Sequence, residues 1–179
     1  MSAEALQERE GLPDALRVLM QSFPRESWRG HENFGALVQF WMQRHEMFRQ
    51  LTKELKRDTL QYDAGKLDLR KYQTRISQNA GMLLNELHAH HQIEDHHYFP
   101  KLIGLDPRLQ RGFDLLESDH EAMDDLLHDT AKAANAVLQG GHVGPFSEHL
   151  ERFDRLLGRH LTDEEEIIVP VILKSGFSG

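Results

Sequence analysis

The stretch HAHHQIEDHHYFP, residues 88–100, contains five histidines and two acids in thirteen positions. A second stretch, HLTDEEEIIVP, follows at residues 160–170. When His90 is aligned with His160, both stretches have an acid at +4, an acid at +5 and a proline at +10. The pattern His-x-x-x-acid-acid-x-x-x-x-Pro therefore occurs twice, and its aligned pairs are Glu94 with Glu164, Asp95 with Glu165, and Pro100 with Pro170.

The repeat extends beyond these two stretches. RHEMFRQL at 44–51 resembles DHEAMDDL at 119–126, so that a lone histidine, His45 or His120, precedes each His-x-x-x-Glu segment. The two halves of the chain are interpreted as two copies of one helical hairpin. Such a duplication would place two half-sites face to face.

Four segments of about thirty residues show the 3.6-residue apolar periodicity of amphipathic helices. Short clusters of Gly, Pro and Asp separate them, and short connections between long helices favour antiparallel neighbours. We therefore predict an all-α, up-down-up-down antiparallel four-helix bundle with a short N-terminal helical extension, whose helix starts at Pro13. The predicted segments are 31–61, 69–103, 107–138 and 145–173, within an extension (1–30), a bundle domain (31–173) and a C-terminal tail (174–179).

Composition restricts the function. The net charge of −8 argues against a nucleic-acid or anionic-membrane partner, because phosphate groups require a basic face. The sequence has no apolar run near the length of a membrane span, and its N-terminus is too polar for a signal peptide, so we expect a cytoplasmic protein. With no cysteine and 12 histidines, any metal must be held by imidazole and carboxylate.

Helical spacing brings the repeated residues together. His90 and Glu94 lie about 40° apart around a helix and one turn apart along it, and the same holds for His160 and Glu164. Each key histidine also falls on the apolar stripe of its helix, where burial without partners would cost several kcal/mol. Two divalent cations would offset that cost, since imidazole suits iron, zinc or copper and a carboxylate can bridge two metals.

At these residues the chain resembles the hemerythrin-like (HHE) cation-binding domains, over about residues 31–173. The resemblance implies two non-haem irons with a bridging oxo or hydroxo group, for which zinc is the alternative metal. It implies that His45 and His90 serve one iron and that His120 and His160 serve the other. Glu94 and Glu164 would bridge the two.

Two positions depart from the oxygen-carrying members of that family. Where they have a second histidine one turn after the third-helix ligand, this chain has Asp124. Asp124 is predicted either to ligate or to bond a bound water, and an anionic ligand would weaken reversible O₂ release. Their last carboxylate lies at +5, which makes Glu165 an alternative to Glu164.

The remaining histidines of the first stretch are predicted to lie outside the ligand set. His88, His91 and His96 point away from the apolar stripe and are expected to face solvent. His97 lies nearer the stripe, which leaves it either a residue that supports the ligands or a ligand itself, and we favour the supporting role. The pairs Glu94-x-x-His97 and Glu117-x-x-His120 leave a ferritin-like di-iron site as an alternative.

Three functions follow as hypotheses. The first is a sensor, store or scavenger that binds O₂, NO or a related small ligand at a di-iron centre. The second is a di-iron oxidoreductase acting on peroxide or O₂, and the third is a zinc-filled structural or ferritin-like bundle. The expected partner is a diatomic ligand or peroxide, and the sequence leaves a homo-oligomer open.

Overall fold

The computed structural model describes residues 5–179, and over that range the chain is helical without β-strands, as predicted. The predicted extension begins at residue 1, and its first four residues lie outside the described part. Within residues 5–179 no helix combines the length and the apolar run that crossing a membrane requires. The helices are α1 (Ala36–Asp63), α2 (Leu69–Ile93), a π-helical segment (Glu94–Tyr98), α3 (Phe99–Ile103), α4 (Gln110–Leu138) and α5 (Gly144–Ser175), with 3₁₀ turns at Asp14–Leu16, Arg25–Gly30 and Pro107–Leu109.

Two predicted elements differ from the structure. The helix predicted over 69–103 is interrupted by the π-helical segment, which ends just before Pro100. Proline lacks an N–H and its ring crowds the carbonyl four residues earlier, so the turn before it widens. The helix predicted from Pro13 is reduced to the 3₁₀ turn Asp14–Leu16.

The chain divides into two compact units. The described part of the first unit comprises residues 5–45, 91–121 and 159–179. Its apolar core includes side chains of the extension. Burying one large apolar side chain contributes about 1.5–3 kcal/mol to the free energy of folding, so these side chains hold the extension against the unit. Among its buried residues are Leu12, Leu16, Leu19 and Trp28 from the extension, Val38 and Trp41 from α1, Phe99 and Leu102 from α3, Phe113 and Leu116 from α4, and Ile167, Ile168 and Ile172 from α5.

The second unit comprises residues 46–90 and 122–158. Tyr72 is fully buried there, stacks on Tyr62 with 4.4 Å between ring centroids, and shares a 3.1 Å hydrogen bond with Thr59. The unit supplies an independent apolar core for the other halves of the long helices. Its largest buried side chains include Phe48, Leu55, Ile76, Leu83, Leu87, Phe146 and Phe153.

Candidate metal centre

The first unit buries histidine and acid side chains beside its apolar core. His45 lies in α1, Glu94 begins the π-helical segment, His120 lies in α4, and His160 and Glu164 lie in α5. None of the five is more than 3% exposed. Imidazoles and carboxylates are stable in such an interior only when partners satisfy them.

His45, Glu94 and Glu164 form a first donor group, in which one ligand atom of each residue lies within 4.8 Å of the others. His45 Nε2 is 3.5 Å from Glu164 Oε2. His90 precedes Glu94 by four residues in the sequence and belongs to the second unit. The ring of His90 is buried and packs on Phe48, with 5.3 Å between ring centroids.

His91, His120 and His160 form a second donor group with the same 4.8 Å limit. The Nε2 atoms of His120 and His160 are 3.1 Å apart. The ring of His91 stacks on that of His120, with 4.0 Å between centroids. Three imidazoles at this separation can occupy neighbouring positions around one metal ion.

The prediction that His91 faces solvent is wrong, because its side chain is 1% exposed. An inner face of α2 centred on His90 alone leaves the next residue outside it. The buried stripe of a core-facing helix is at least about 100° wide, which includes both neighbours. A usable signal was present, since His91 follows Leu87 by four residues and precedes Glu94 by three.

Two glutamates connect the donor groups. Glu164 Oε2 lies 3.5 Å from His45 Nε2 in the first group and 3.5 Å from His160 Nε2 in the second. Glu94, a member of the first group, has its Oε2 3.7 Å from His120 Nε2. Neighbouring ligand atoms on a metal with bonds of about 2.1 Å are roughly 3 Å apart. The glutamate oxygens and histidine nitrogens are therefore slightly farther apart than they would be around a bound metal.

Trp41 holds the other oxygen of each glutamate. Its indole Nε1–H donates to Glu94 Oε1 at 2.7 Å and to Glu164 Oε1 at 2.9 Å. One N–H thus fixes both carboxylates and leaves their Oε2 atoms directed at the histidines. The tryptophan ring itself is buried and packs against Tyr98 at 4.8 Å between centroids.

A second layer of carboxylates contacts the outer nitrogen of three histidines. The distances from Nδ1 are 3.0 Å for His45 to Glu165, 2.7 Å for His120 to Asp95, and 3.3 Å for His160 to Asp119. An Nδ1–H that donates to a carboxylate leaves Nε2 with the lone pair that a metal requires. Glu165, the predicted alternative to Glu164, therefore lies where it orients His45.

Burial and neighbouring charges shift the pKa values of side chains in the two donor groups. Burial by itself lowers the pKa of His45, but Glu164 and Glu165 outweigh burial and raise that pKa to about 9. Burial and the neighbouring charge of Glu164 raise the pKa of Glu94 well above its usual value. Burial lowers the pKa of His120, although Asp95 opposes that shift. Without a metal, the centre therefore retains protons that a cation would displace.

Asp124 belongs to neither donor group of the described residues. Its side chain belongs to the second unit, is 48% exposed, and has Oδ1 3.3 Å from Nδ1 of the exposed His88. On α4 the buried stripe continues from His120 to Met123, and this leaves the fourth residue after His120 at the solvent edge. The third histidine of the second donor group is His91, a residue predicted to lie outside the ligand set.

The prediction that His97 supports the ligands is also wrong. His97 is exposed, and its Nε2 lies 3.1 Å from the Lys101 ammonium. The prediction assumed α-helical spacing after Glu94. The π-helical segment widens the turn at this point, and so it rotates the following residues away from the inner face.

Residues 36–174 match the family model of the hemerythrin HHE cation-binding domain. The chain belongs to this family. The resemblance inferred from the repeated histidine and acid pattern is confirmed, and the matched range runs from the first residue of α1 almost to the end of α5. No curated protein and no solved structure matches the chain.

The donor set fits the cations that define the hemerythrin HHE family. Each group offers imidazole nitrogens, and the two shared glutamates offer carboxylate oxygens beside the histidines of both groups. The matched range begins after residue 35, so the contacts made by the extension are additional to the family domain. A bound cation would supply the positive charge that the clustered carboxylates favour.

Replacing Trp41 tests how the glutamates are held. Trp41→Phe removes the N–H shared by Glu94 and Glu164, and we expect metal affinity to fall about 10-fold to 100-fold. The matched control is Trp28→Phe, which also removes a buried indole N–H, here donated to the Phe23 carbonyl at 2.8 Å. Titration with Co²⁺ measures both variants, and equal affinities would contradict the assigned role of Trp41.

Metal binding should release protons. Below pH 9 the metal-free His45 is largely protonated, and a metal binds only the neutral imidazole and the ionised carboxylate. The apparent affinity for Co²⁺ should therefore rise between about pH 6 and pH 8.5, by about tenfold per pH unit for each proton released. A pH indicator in weakly buffered solution measures the release, and an affinity independent of pH would overturn the expectation.

Proposed function

We propose that this protein is a non-haem di-iron protein that binds O₂, NO or a related small ligand as a sensor, store or scavenger. The observation that supports it best is the pair of buried glutamates shared by two groups of imidazoles. A single metal would not require two groups. A mononuclear or purely structural site would not require carboxylates that reach both.

The proposed ligand set follows from the donor groups and the repeated motif. His45 and His90 hold one iron, while His91, His120 and His160 hold the other. Glu94 and Glu164 bridge the two irons, together with a solvent-derived oxo or hydroxo group. His90 is included because it lies one turn before Glu94 and is buried.

The proposed ligand set gives the two irons different numbers of donor atoms. Counting the bridges, the iron held by three histidines has six donors, while the iron held by His45 and His90 has five. Iron with this kind of ligand set accepts six donors, so the second iron retains one open position. A diatomic molecule or a peroxide fits such a position, which is the chemical basis for the proposed ligand class.

Iron is the metal that suits this donor set best. Structural zinc favours four ligands in a tetrahedron, whereas two bridging carboxylates, a solvent-derived bridge and five imidazoles provide five or six positions per metal. Mixed imidazole and carboxylate ligation with an open position is typical of non-haem iron. Zinc remains the alternative that an element analysis separates from iron.

The inclusion of His91 changes the expected ligand chemistry. With Asp124 as a ligand, the added negative charge would stabilise ferric iron and weaken reversible O₂ release. With His91 in its place the second iron has three neutral imidazoles, so that objection no longer applies. Reversible O₂ binding is therefore part of the proposal.

The fold proposed for this function is the up-down-up-down four-helix bundle. The long helices α1, α2, α4 and α5 are joined by short connections, of which 64–68 and 139–143 are the simplest. Short connections favour antiparallel neighbours, which would direct ligands from four helices towards one interior.

The iron content and the spectrum test the proposed function. We expect close to two irons per chain after anaerobic loading, and near-ultraviolet charge-transfer absorption on oxidation. A stable adduct with O₂ or NO supports the sensor, store or scavenger. Sustained turnover of peroxide instead indicates the oxidoreductase, and a colourless, zinc-loaded protein indicates the structural alternative.

A pair of variants tests the ligand set. His91→Ala should remove at least one iron per chain and abolish the charge-transfer band, because it deletes a buried donor. Asp124→Ala should leave both unchanged, since that side chain is half-exposed and bonded to His88. His88→Ala is a second control in the same histidine-rich stretch. Iron loss in Asp124→Ala, or full iron content in His91→Ala, would require a different ligand set.

A further inference from the structure

Three arginines in the segment before the family domain contact the acid run of α5 at residues 163–166. Arg9 Nε donates to Asp163 at 2.7 Å, Arg25 Nη1 donates to Glu165 at 2.7 Å, and Arg17 Nη1 lies 3.4 Å from Glu166. The other acid of the run, Glu164, belongs to the donor group with His45 and Glu94. The extension therefore covers the acids on either side of the proposed bridging ligand.

Arg25 is connected to one proposed ligand through a single carboxylate. Its guanidinium bonds Glu165 Oε2, while Glu165 Oε1 lies 3.0 Å from Nδ1 of His45. Glu165 is 3% exposed, whereas the side chain of Arg25 is 41% exposed. The arginine thus brings a positive charge from the surface to the carboxylate that orients a buried histidine.

Arg9 makes the equivalent connection to the other donor group. Its guanidinium forms two hydrogen bonds with the Asp119 carboxylate, and Asp119 Oδ2 lies 3.3 Å from Nδ1 of His160. Both side chains are buried, and the second carboxylate held by Arg9 is Asp163, directly before Glu164 in the chain. A fork-shaped guanidinium fixes the carboxylate plane as well as neutralising its charge.

The extension is held firmly enough to make these contacts specific. Arg159 of α5 donates to the backbone carbonyl of Glu10 at 2.5 Å, and Asn33 donates to the carbonyl of Leu173 at 2.7 Å. Leu16 lies against α4 so closely that a Cβ on Gly112 would be 3.4 Å from its carbonyl oxygen. Packing and hydrogen bonds along its length therefore fix where the arginines lie.

We propose that Arg9 and Arg25 are positioning residues of the metal centre, each holding the carboxylate that orients one histidine ligand. The inference rests on the proposed function only in requiring that the centre binds metal. Removing either arginine leaves a carboxylate without its cation beside a histidine, and it removes a positive charge near the metals. Ferric iron is then favoured over ferrous iron, and the orientation of the histidine is less well fixed.

Arg25→Gln is the sharpest test, because the residue is partly exposed and its loss should leave the fold intact. Arg17→Gln is the matched control, since it makes the same charge change but its partners Asp14 and Glu166 are absent from the proposed centre. Arg9→Gln and Arg9→Lys extend the test to the buried arginine. Arg9→Lys keeps the positive charge and is expected to retain part of the Co²⁺ affinity that Arg9→Gln loses. All variants are made in the full chain.

Two readouts are measured for each variant. The first is Co²⁺ affinity and the visible Co²⁺ spectrum, which require a metal site but not iron. We expect affinity to fall about 10-fold to 100-fold in Arg25→Gln and to stay unchanged in Arg17→Gln. The second is the reduction potential of the iron-loaded protein, which should fall in Arg25→Gln by more than in Arg17→Gln.

The outcomes separate this inference from the proposed function. If Arg25→Gln and Arg17→Gln share the wild-type Co²⁺ affinity and spectrum, the positioning role is overturned. A wild type that binds Co²⁺ but never develops an iron charge-transfer band refutes the proposed function, while the Co²⁺ comparison still decides the role of the arginines. A wild type that binds neither metal overturns both.

Discussion

The centre depends on the convergence of imidazole Nε2 atoms and glutamate Oε2 atoms within the first unit. These atoms approach one another to between 3.1 and 3.7 Å in a region almost without solvent exposure. In a low-dielectric interior, like-charged carboxylates repel and protonated imidazoles lose hydration, so the arrangement is costly by itself. Against the effect of burial the clustered carboxylates raise the pKa of His45, and burial with the charge of Glu164 raises the pKa of Glu94, so that the metal-free centre holds protons there. A cation removes the same cost by replacing the protons.

The consecutive acids of each repeat have different tasks. In each pair the first acid, Glu94 or Glu164, faces the donor groups. The second acid orients the lone histidine of the opposite repeat: Asp95 contacts His120, and Glu165 contacts His45. The duplicated hairpin is therefore reciprocal, since each half orients a histidine of the other half. This exchange accounts for the second acid of the motif, which a ligand count alone leaves unexplained.

The sequence predicted the helices and most of the donor groups because both depend on local periodicity. His45, Glu94, His120, His160 and Glu164 all lie on apolar stripes, and a stripe on a helix is visible in one chain. The histidine at 91 was misjudged because one idealised stripe per helix was assumed, although the inner face is wide. The π-helical segment displaced His97, and its effect on register cannot be read from spacing that assumes 3.6 residues per turn. Contacts such as Glu165 with His45 join residues 120 positions apart and follow from packing, not from local pattern.

The arginines of the extension bear on how charge is distributed around the centre. Two of the acids that orient the histidines, Asp119 and Glu165, are buried carboxylates, and in a metal-loaded site they would compete with the glutamate ligands for the positive charge of the metals. Arg9 places its cation on Asp119, and Arg25 places one on Glu165. Neutralised in this way, the outer carboxylates accept the Nδ1 hydrogen bonds without adding their full charge to the site. In the proposed di-iron centre, the metal charge would then be balanced mainly by Glu94, Glu164 and the solvent-derived bridge. Neutral imidazoles and moderated outer charge would keep the ferrous state accessible, which the proposed reversible binding of a small oxidising ligand requires.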